Sequence, residues 1–409
     1  MTDRVLEKLI KAEIRRQQET INLIPSENYV SPDVLAVLGS SLTNKYSEGY
    51  PGRRYYPGNE FYDQIELLAQ SRLKKLFKLR NSPAGEWSVN VQPYSGTPAM
   101  LAVYFALMEP GEKLLGMSLL AGGHLSHGHR VNLSGRIFQA IQYGVDADTG
   151  LIDYDEVERL ALQHKPRVIV SGATAYSRVI DFTRFGAIAK KVGAFHVADI
   201  SHLAGLVAAG LHPSPFPHSD VVVTTTHKTL RGPRAAVIFS RSELADRIDR
   251  IIFPGMQGGP HNNVIAAIAV MAQEGLRPEF KNYQRKIVKN AEALSHALVE
   301  REFVLLTGGT DNHLILIDLK PLGWEGLKAQ QRLEAAGITA NRNALAGDSS
   351  PYYPSGLRLG TPAVTTRGMK EPEMEKIADW LRRLLIKKEA PGRLRQEVRA
   401  LCRQFPLPY

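Results

Sequence analysis

A lysine directly follows a short run of β-branched residues near the middle of the chain. Residues 221–226 read VVVTTT, and His227 and Lys228 come next, before a glycine–proline turn. Such a run predicts a buried strand that ends at a polar edge. Burial disfavours the ammonium form of a lysine, and a lysine placed there can form a Schiff base with a carbonyl compound. The alternative is an ordinary lysine whose side chain extends from the strand end to water.

A carboxylate stands in the same kind of position on another predicted strand. Residues 195–199 read FHVAD, so Asp199 is the last residue of that strand. A carboxylate at a strand end is often only a helix cap or an ion-pair partner. Ligands of open α/β sheets bind where the parallel strands end, so Asp199 and Lys228 are expected to point into one cleft.

A third feature is a small polar stretch before a predicted helix. Ser95, Gly96 and Thr97 precede Pro98, and proline favours the first turn of a helix. The free N–H groups of such a helix start bind phosphate well, although ordinary capping by the hydroxyls is the competing interpretation. A Schiff-base lysine, a buried carboxylate and a phosphate site together indicate pyridoxal phosphate, whose pyridine nitrogen the carboxylate would keep protonated.

The elements that position these residues alternate between strands and helices, which predicts an α/β protein with a mostly parallel sheet covered by helices on both faces. The predicted strands of this sheet are 88–91, 114–118, 136–143, 167–172, 195–199, 221–226 and 235–239. Further predicted elements are helices at 3–19, 61–78, 153–163, 182–192, 261–274, 280–302 and 326–336, a strand at 313–319, a strand with Arg358, and a last helix from Glu371.

Two loops have unusual compositions. Residues 43–62 contain five tyrosines, which predicts a structured loop whose hydroxyls bind a polar group or, as the favoured interpretation, a loop at an interface. Residues 121–135 contain His124, His127 and His129 among glycines. Their spacing and the lack of a nearby cysteine or acidic residue argue against zinc, and an imidazole in this loop could instead stack on a ring.

The composition predicts an ordinary soluble globular protein. The 409 residues are 44% hydrophobic and 22% charged, contain no apolar run long enough for a membrane span, and begin with a charged helical pattern rather than a secretory signal. The single cysteine, Cys402, excludes an internal disulfide and favours a reducing compartment, so a cytoplasmic location is expected. The net charge of +10 admits small anions and nucleic acid as partners, and much of it lies in the predicted helix faces of residues 382–403.

Five long stretches of the chain resemble serine hydroxymethyltransferase. They are LTNKYSEGYPGRRYY (42–56), ADISHLAGL (198–206), TTTHKTLRGPR (224–234), FPGMQGGP (253–260) and GLRLGTPAVTTRG (356–368). The resemblance implies the aspartate-aminotransferase-like fold (fold type I), with a mostly parallel seven-stranded sheet between helices and a smaller α+β C-terminal domain. It also implies an N-terminal segment 1–40 that packs with the small domain and the partner subunit, a large cofactor-binding domain 41–275 and a small domain 276–409.

The resemblance assigns the cofactor site position by position. Lys228 would carry the Schiff base with pyridoxal phosphate, Asp199 would pair with the pyridinium nitrogen, and His124 would stack on the ring. His202 would lie near the 3-hydroxyl and His227 on the phosphate side. The other implied cofactor positions are Ser95, Gly96, Thr97 and Thr174, with Tyr46, Gly258 and Gly259 contributed by the neighbouring subunit.

The resemblance also implies the reaction. Members of this family transfer the hydroxymethyl carbon of serine to tetrahydrofolate, giving glycine and 5,10-methylenetetrahydrofolate, and work as a homodimer or a pair of dimers. Arg358 would grip the substrate carboxylate with help from Ser26, and Glu48 would be the acid/base carboxyl. The remaining implied positions in catalysis are Thr226, His227 and the partner's Tyr56. Those around the substrates are Leu119, Gly123, Leu125 and Asn343, and no metal is implied.

A few positions depart from the family pattern. Ala121 stands where a histidine is frequent, Ser201 where alanine is common, and Thr174 where serine is frequent, while Pro98 and Met100 replace small or polar residues. None of these departures removes a catalytic group. The loop 119–130 is expected near the folate, so folate affinity is the property that they put in question.

Two other functions fit parts of the sequence. A related aldolase of β-hydroxy or α-methyl amino acids would use the same site with weak folate dependence. A basic RNA-binding protein would bind tightly and with a steep dependence on salt, but no RNA-binding motif or interleaving of aromatic and basic residues supports that alternative.

Overall fold

Seven strands form one sheet in the larger of the two units into which the chain divides. The computed structural model describes residues 2–79 and 86–409, and the larger unit comprises Val30–Thr174 and Val179–Gln284. The strands of the chain are β1 (Ile21–Asn22), β2 (Gly49–Tyr50), β3 (Arg53–Arg54), β4 (Trp87–Asn90), β5 (Lys113–Met117), β6 (Gln139–Tyr143), β7 (Val168–Ser171), β8 (Phe195–Asp199), β9 (Val221–Thr225), β10 (Ala236–Arg241), β11 (Val304–Leu305), β12 (Leu314–Asp318), β13 (Ile338–Thr339), β14 (Asn341–Asn343) and β15 (Gly356–Gly360).

The sheet is mostly parallel, as the alternating pattern predicts. Its strand order is β4-β10-β9-β8-β7-β5-β6, and only β10 runs antiparallel to both of its neighbours. Strands β8 and β9 are adjacent and parallel, with Asp199 opposite Val223. All five residues of β9 are buried, which explains why its sequence is an unbroken run of β-branched residues and does not alternate with exposed polar ones. The carboxyl ends of β8 and β9 therefore meet at one edge.

The described residues also form α-helices in both units. They are α1 (Arg4–Glu19), α2 (Pro32–Leu38), α3 (Glu60–Leu76), α4 (Gly96–Leu107), α5 (Leu133–Ile137), α6 (Tyr154–His164), α7 (Phe182–Val192), α8 (Ala204–Ala209), α9 (Ala245–Arg250), α10 (Asn262–Gly275), α11 (Pro278–Glu300), α12 (Gly326–Ala335), α13 (Pro362–Thr366), α14 (Glu371–Leu385) and α15 (Pro391–Gln404). Helix α4 is apolar on nearly all sides, and its residues Ala99–Leu107 form one core with inward-facing residues of the sheet. The start of α4 is thereby held against the sheet.

Two local predictions for the larger unit need correction. The strand predicted over 136–143 begins only at Gln139, because the preceding residues form α5. The side chain of Asn132 accepts the N–H of Ser134 over 3.0 Å and starts that helix.

The tyrosine-rich loop contains a short hairpin of β2 and β3. Gly49 has φ +94 there, and a Cβ on it would lie 2.3 Å from the carbonyl oxygen of Arg53. Only glycine fits at this position.

The smaller unit comprises Met1–Tyr29, Ala175–Arg178 and Arg285–Tyr409. Its four-stranded sheet has the order β11-β12-β15-β14, and β1 pairs in parallel with β13. Buried residues of this sheet, α11, α12, α14 and α15 form one core around Trp380. The division of the chain at residues 40 and 275 stays a prediction.

The helix predicted from Glu371 is in fact two helices. Helix α14 ends at Leu385 and α15 begins at Pro391, where proline suits a first turn. Leu394, Val398 and Leu401 on α15 are buried, so its arginines occupy the opposite face. Within the part of the chain that the structure describes, no helix has both the length and the apolar character needed to cross a membrane.

Candidate active site

Lys228 lies in a closed turn just beyond β9. The hydroxyl of Thr226 donates to the carbonyl oxygen of Pro233 over 2.5 Å, and the N–H of Gly232 donates back to the carbonyl oxygen of Thr226 over 2.8 Å. The carbonyl oxygen of Lys228 accepts the N–H of Arg231 over 3.1 Å. Thr226 is fully buried and Lys228 half-buried. The turn thus fixes the lysine backbone at the strand end, while the role of Thr226 in catalysis stays a prediction.

Asp199 ends β8 in a nearly buried position, and His127 forms a hydrogen bond with it. Nε2 of His127 lies 3.1 Å from Oδ2 of Asp199, with 1% and 10% of the two side chains exposed. The N–H of His124 donates to Nδ1 of His127 over 3.3 Å, so the ring proton is on Nε2 and is donated to Asp199. The other carboxylate oxygen, Oδ1, accepts the N–H of Ser201 over 3.0 Å.

These contacts keep Asp199 ionised. Burial alone raises the pKa of Asp199, but the hydrogen bond from His127, the charge of Lys228 and the bond from Ser201 lower it more, and the pKa falls well below its usual 3.8. A nearly buried carboxylate that stays anionic suits a protonated pyridine nitrogen.

Ser201 joins the two strand ends. Its hydroxyl accepts the N–H of Thr225 over 3.0 Å, and both residues are nearly inaccessible. An alanine at this position would leave that N–H without this acceptor. The departure at Ser201 therefore adds a direct tie between the segment that carries Asp199 and the segment that carries Lys228.

The start of α4 reaches the same edge of the sheet. A Cβ on Gly96 would lie 2.9 Å from Cγ2 of Thr225, the last residue of β9. Ser95 is exposed and is the N-cap residue, yet its side chain makes no capping hydrogen bond. Capping by Ser95, the competing interpretation, is therefore not what this helix uses, and its first N–H groups can bind an anion.

Four further predicted cofactor positions surround this edge. Nδ1 of half-buried His124 lies 2.8 Å from the hydroxyl of Ser126. The N–H of Thr174 donates to the carbonyl oxygen of Gly122 over 2.8 Å, and the carbonyl oxygen of buried His202 accepts the hydroxyl of Thr229 over 3.0 Å.

His227, the fourth, is neutral. Burial, together with the charges of Lys228 and Arg234, lowers its pKa to about 3. Its Nδ1 is buried and has no hydrogen-bond partner among the described residues. The unbonded nitrogen of a neutral imidazole can either donate a hydrogen bond to a ligand or accept one from it, depending on the tautomer.

The tyrosine-rich loop forms a second cluster with the glycines of the 253–260 motif. A Cβ on Gly259 would lie 2.9 Å from Cδ1 of Tyr46, and one on Gly258 would lie 3.2 Å from Oε1 of half-buried Glu48. The rings of Tyr46 and Tyr56 lie 5.5 Å apart, and 58% and 44% of these residues are exposed. The structure thus brings Tyr46 and Glu48 close to Gly258 and Gly259, which lie about 200 positions later in the sequence.

Tyr94 connects this cluster to the helix start. Its hydroxyl donates to the carbonyl oxygen of Gly259 over 2.8 Å, and its ring stacks on His261 at 4.1 Å. The N–H of Tyr94 donates to the side-chain oxygen of Gln257 over 3.1 Å. Because Tyr94 immediately precedes Ser95, the glycine motif and the helix start are held in a fixed relation.

The predicted substrate-binding residues of the loop 119–125 line a tight turn. Leu119 begins a short 3-10 helix, and Leu125 is 39% exposed. A Cβ on Gly123 would lie 2.0 Å from the carbonyl oxygen of Met117, so glycine is required there. Ala121 is buried in the same turn.

Arg358 and Ser26 belong to the smaller unit. Arg358 lies in the middle of β15 with 7% of its surface exposed, and its Nε donates to the side-chain oxygen of Asn341 over 3.2 Å. Burial lowers its pKa to about 10, so the guanidinium stays charged at neutral pH. A Cβ on Gly360 would lie 2.3 Å from Cβ of Pro25, which places the segment that carries Ser26 beside β15.

Asn343 ends β14, the neighbour of β15, and its side-chain amide donates to the carbonyl oxygen of Ala344 over 2.6 Å. Among residues 2–79 and 86–409, no group of three His, Cys, Asp or Glu side chains could hold a metal ion.

The sequence did not single out three residues that the structure places here. His127 was noticed only as one histidine of three, and its pairing with Asp199 depends on a contact across 72 positions. Gln257 carries no signal beyond its place in the motif 253–260, and Tyr94 is only the residue before Ser95.

Comparison with known proteins gives one consistent result. The family model described as serine hydroxymethyltransferase matches residues 1–381. The serine hydroxymethyltransferase of Legionella pneumophila (strain Corby) is 53% identical over 411 residues, which cover 99% of this chain and 97% of the relative. That of Acidothermus cellulolyticus is 51% identical over 417 residues, which cover 100% of this chain and 96% of the relative. The resemblance noted in the sequence is thus confirmed, and the chain belongs to the serine hydroxymethyltransferase family.

Proposed function

We propose that the chain catalyses the reversible transfer of the hydroxymethyl carbon of serine to tetrahydrofolate, giving glycine and 5,10-methylenetetrahydrofolate. One observation carries this proposal: Lys228, Asp199 and the start of α4 meet at one edge of the sheet in a chain of this family. A membrane-spanning helix is absent from the described residues, and the proposed location is the cytoplasm.

The residues at the sheet edge fit pyridoxal phosphate. Lys228 would hold its carbonyl carbon, and ionised Asp199 would accept a hydrogen bond from its pyridine nitrogen. The N–H groups at the start of α4 would bind its phosphate. The other residues that we propose around it are His124, Thr174, His202 and His227. When bound, the cofactor supplies an electron sink for the bond that breaks at the substrate α-carbon.

The chain's own residues bind the substrates and move protons. We propose that Arg358 binds the serine carboxylate through its planar guanidinium, with the hydroxyl of Ser26 beside it. The carboxyl of Glu48 would exchange a proton with the serine hydroxyl, and the phenol of Tyr56 would orient that hydroxyl. Leu119, Gly123, Leu125 and Asn343 are the proposed folate contacts.

We further propose that two copies of the chain share their sites. Tyr46, Tyr56, Gly258 and Gly259 would act in the site of the neighbouring subunit. The supporting observation is that Tyr46, Tyr55 and Phe61, which lie within 16 residues of one another in sequence, are 58%, 73% and 65% exposed. Residues 1–40 are proposed to pack on the same partner.

The test is the conversion of serine to glycine by the purified protein, loaded with pyridoxal phosphate, with and without tetrahydrofolate. We expect a large folate-dependent rate in the wild type. In Lys228→Ala we expect loss of both this rate and the visible absorption of the lysine-bound cofactor. Arg383→Lys, a change at a half-buried arginine of the smaller unit, is the control for general damage.

A serine cleavage rate that is indifferent to folate would instead support the aldolase. Binding of RNA that falls steeply with salt, without any serine cleavage, would support the nucleic-acid function.

A further inference from the structure

Arg54 is a buried arginine whose contacts surround Glu48. Only 4% of its side chain is exposed. Its NH1 group donates to the carbonyl oxygen of Ser47 over 2.7 Å and to that of Gly49 over 2.8 Å. These are the two residues on either side of Glu48. One guanidinium nitrogen therefore holds the backbone on both sides of the proposed acid/base carboxyl.

The guanidinium is itself anchored to helix α3. Its Nε donates to Oδ1 of Asp63 over 2.8 Å, and its NH2 group donates to Oε2 of Glu66 over 2.7 Å. The second oxygen of Asp63 accepts the N–H of Gly52 at the hairpin tip over 2.8 Å. Since the helix carries both carboxylates three residues apart, the rigid α3 fixes the arginine, and the arginine fixes the hairpin.

A second tether comes from the segment that leads into the proposed phosphate site. The side-chain amide of Gln92 donates to the carbonyl oxygen of Gly49 over 3.0 Å and to Oε1 of Glu66 over 2.9 Å. Gln92 lies three positions before Ser95. The carbonyl of Gly49 therefore accepts two donors, and the hairpin is tied both to α3 and to the strand that precedes the start of α4.

A buried ion pair is not in itself a source of net stability, because removing the charges from water offsets much of their attraction. What the Arg54 cluster does provide is a fixed backbone around Glu48, whose Oε1 would lie 3.2 Å from a Cβ on Gly258. We infer that Arg54 is a positioning residue that fixes the Glu48 carboxyl, and that Gln92 helps by holding the same backbone carbonyl of Gly49. This inference rests on the proposed function, because it takes Glu48 as the group that moves the proton.

The test is a double-mutant cycle on kcat for folate-dependent serine cleavage. Arg54→Lys keeps the positive charge but cannot reach both carbonyl oxygens and both carboxylates. Because a displacement of about 1 Å can lower a rate about 100-fold, we expect a loss of that order in kcat, with the KM for serine changed by less than about threefold. In a Glu48→Gln background the same change should cost less than about threefold, since its effect passes through Glu48.

Two controls make the result specific. Arg383→Lys changes another arginine that bonds two glutamates, Glu389 and Glu397, with 17% of its side chain exposed and no part in the site. It should lower the unfolding midpoint without changing kcat. Gln92→Leu, which leaves Arg54 in place, provides the same cycle if Arg54→Lys does not fold, and it should show the same dependence on Glu48.

The outcomes separate the inference from the function. Equal losses from Arg54→Lys in the wild-type and Glu48→Gln backgrounds would overturn the positioning role while leaving the function standing. A KM that rises as much as kcat falls would do the same. A wild-type protein without folate-dependent cleavage would overturn the proposed function, and the inference with it.

Discussion

The imidazole of His127 donates its Nε2 proton to Oδ2 of Asp199 over 3.1 Å, at a place where both side chains are nearly inaccessible to water. This bond and the neighbouring Lys228 charge overcome the effect of burial on the carboxylate. Asp199 is thereby ionised before any ligand is present. The pairing assigns a specific role to a histidine that the sequence offered only as part of a triplet.

Replacing His127 by leucine should raise the pKa of Asp199, because a hydrogen bond to the ionised form is lost while burial remains. Each unit of that rise makes protonation of the carboxylate about tenfold more favourable, and the carboxylate also loses the donor that fixes the position of its Oδ2. We expect kcat for serine cleavage to fall by at least about tenfold, together with a change in the visible spectrum of the bound cofactor.

The matched control is His129→Leu, two positions away, whose half-buried ring accepts the N–H of Val131 in its own loop. If both variants lost activity equally, the effect would come from the loop and not from Asp199.

Replacing Ser201 by alanine should remove the tie between the two strand ends. The N–H of Thr225 then loses its acceptor in a buried place, which costs about 1–3 kcal/mol in the free energy of unfolding. Urea unfolding measures this loss, and exposed Ser214→Ala provides the comparison. Unchanged stability in Ser201→Ala would mean that the N–H finds another acceptor.

Arg367 holds the ends of two helices in the smaller unit. It is 5% exposed and donates to the carbonyl oxygens of residues that end α1 and α15, at distances of 2.7–3.3 Å. These carbonyls are Gln17, Gln18, Thr20, Cys402 and Phe405. Arg367→Met should lower the free energy of unfolding by at least about 3 kcal/mol, since charged hydrogen bonds are lost and buried carbonyls are left without donors.

The comparison for Arg367 is Arg393→Met, because 82% of that side chain is exposed. Exposed substitutions usually change stability by less than about 0.5 kcal/mol. Equal effects of the two substitutions in urea unfolding would show that the helix-end bonds of Arg367 carry no special weight.

His196 should make stability depend on pH. Burial lowers the pKa of this fully enclosed ring from its usual 6.5 to about 4. Between these values the unfolded chain binds a proton that the folded chain does not, so stability is highest above pH 6.5 and falls as the pH drops toward 4. The expected slope from this group approaches about 1.4 kcal/mol per pH unit.

His196→Asn should remove that contribution, so its unfolding free energy should fall less steeply with decreasing pH than that of the wild type. Urea unfolding between pH 4.5 and 6.5 (a window inside the two pKa values above) measures the two slopes. Parallel slopes would mean that other groups govern the dependence.

The sequence by itself determined the parts of this protein whose signal is local. The β-branched run of β9, the FHVAD strand and the small residues before Pro98 were enough to place Lys228, Asp199 and the start of α4 at element ends. The spacing of the hydrophobic residues and the residue types at the turns carry that information, because strand and helix formation depends mainly on residues close in sequence. The long motifs then led to the family, since each extends over many ordered positions.

Tertiary structure alone decided which of these ends meet. The order of the strands puts β8 beside β9 and runs β10 against both of its neighbours, and no local pattern specifies that. His127 reaches Asp199, Gln92 reaches Gly49, and Arg54 bonds the carbonyls on either side of Glu48 only after the sheet and α3 are packed. Such bonds join residues distant in sequence, and their strength depends on a burial that exists only in the folded chain.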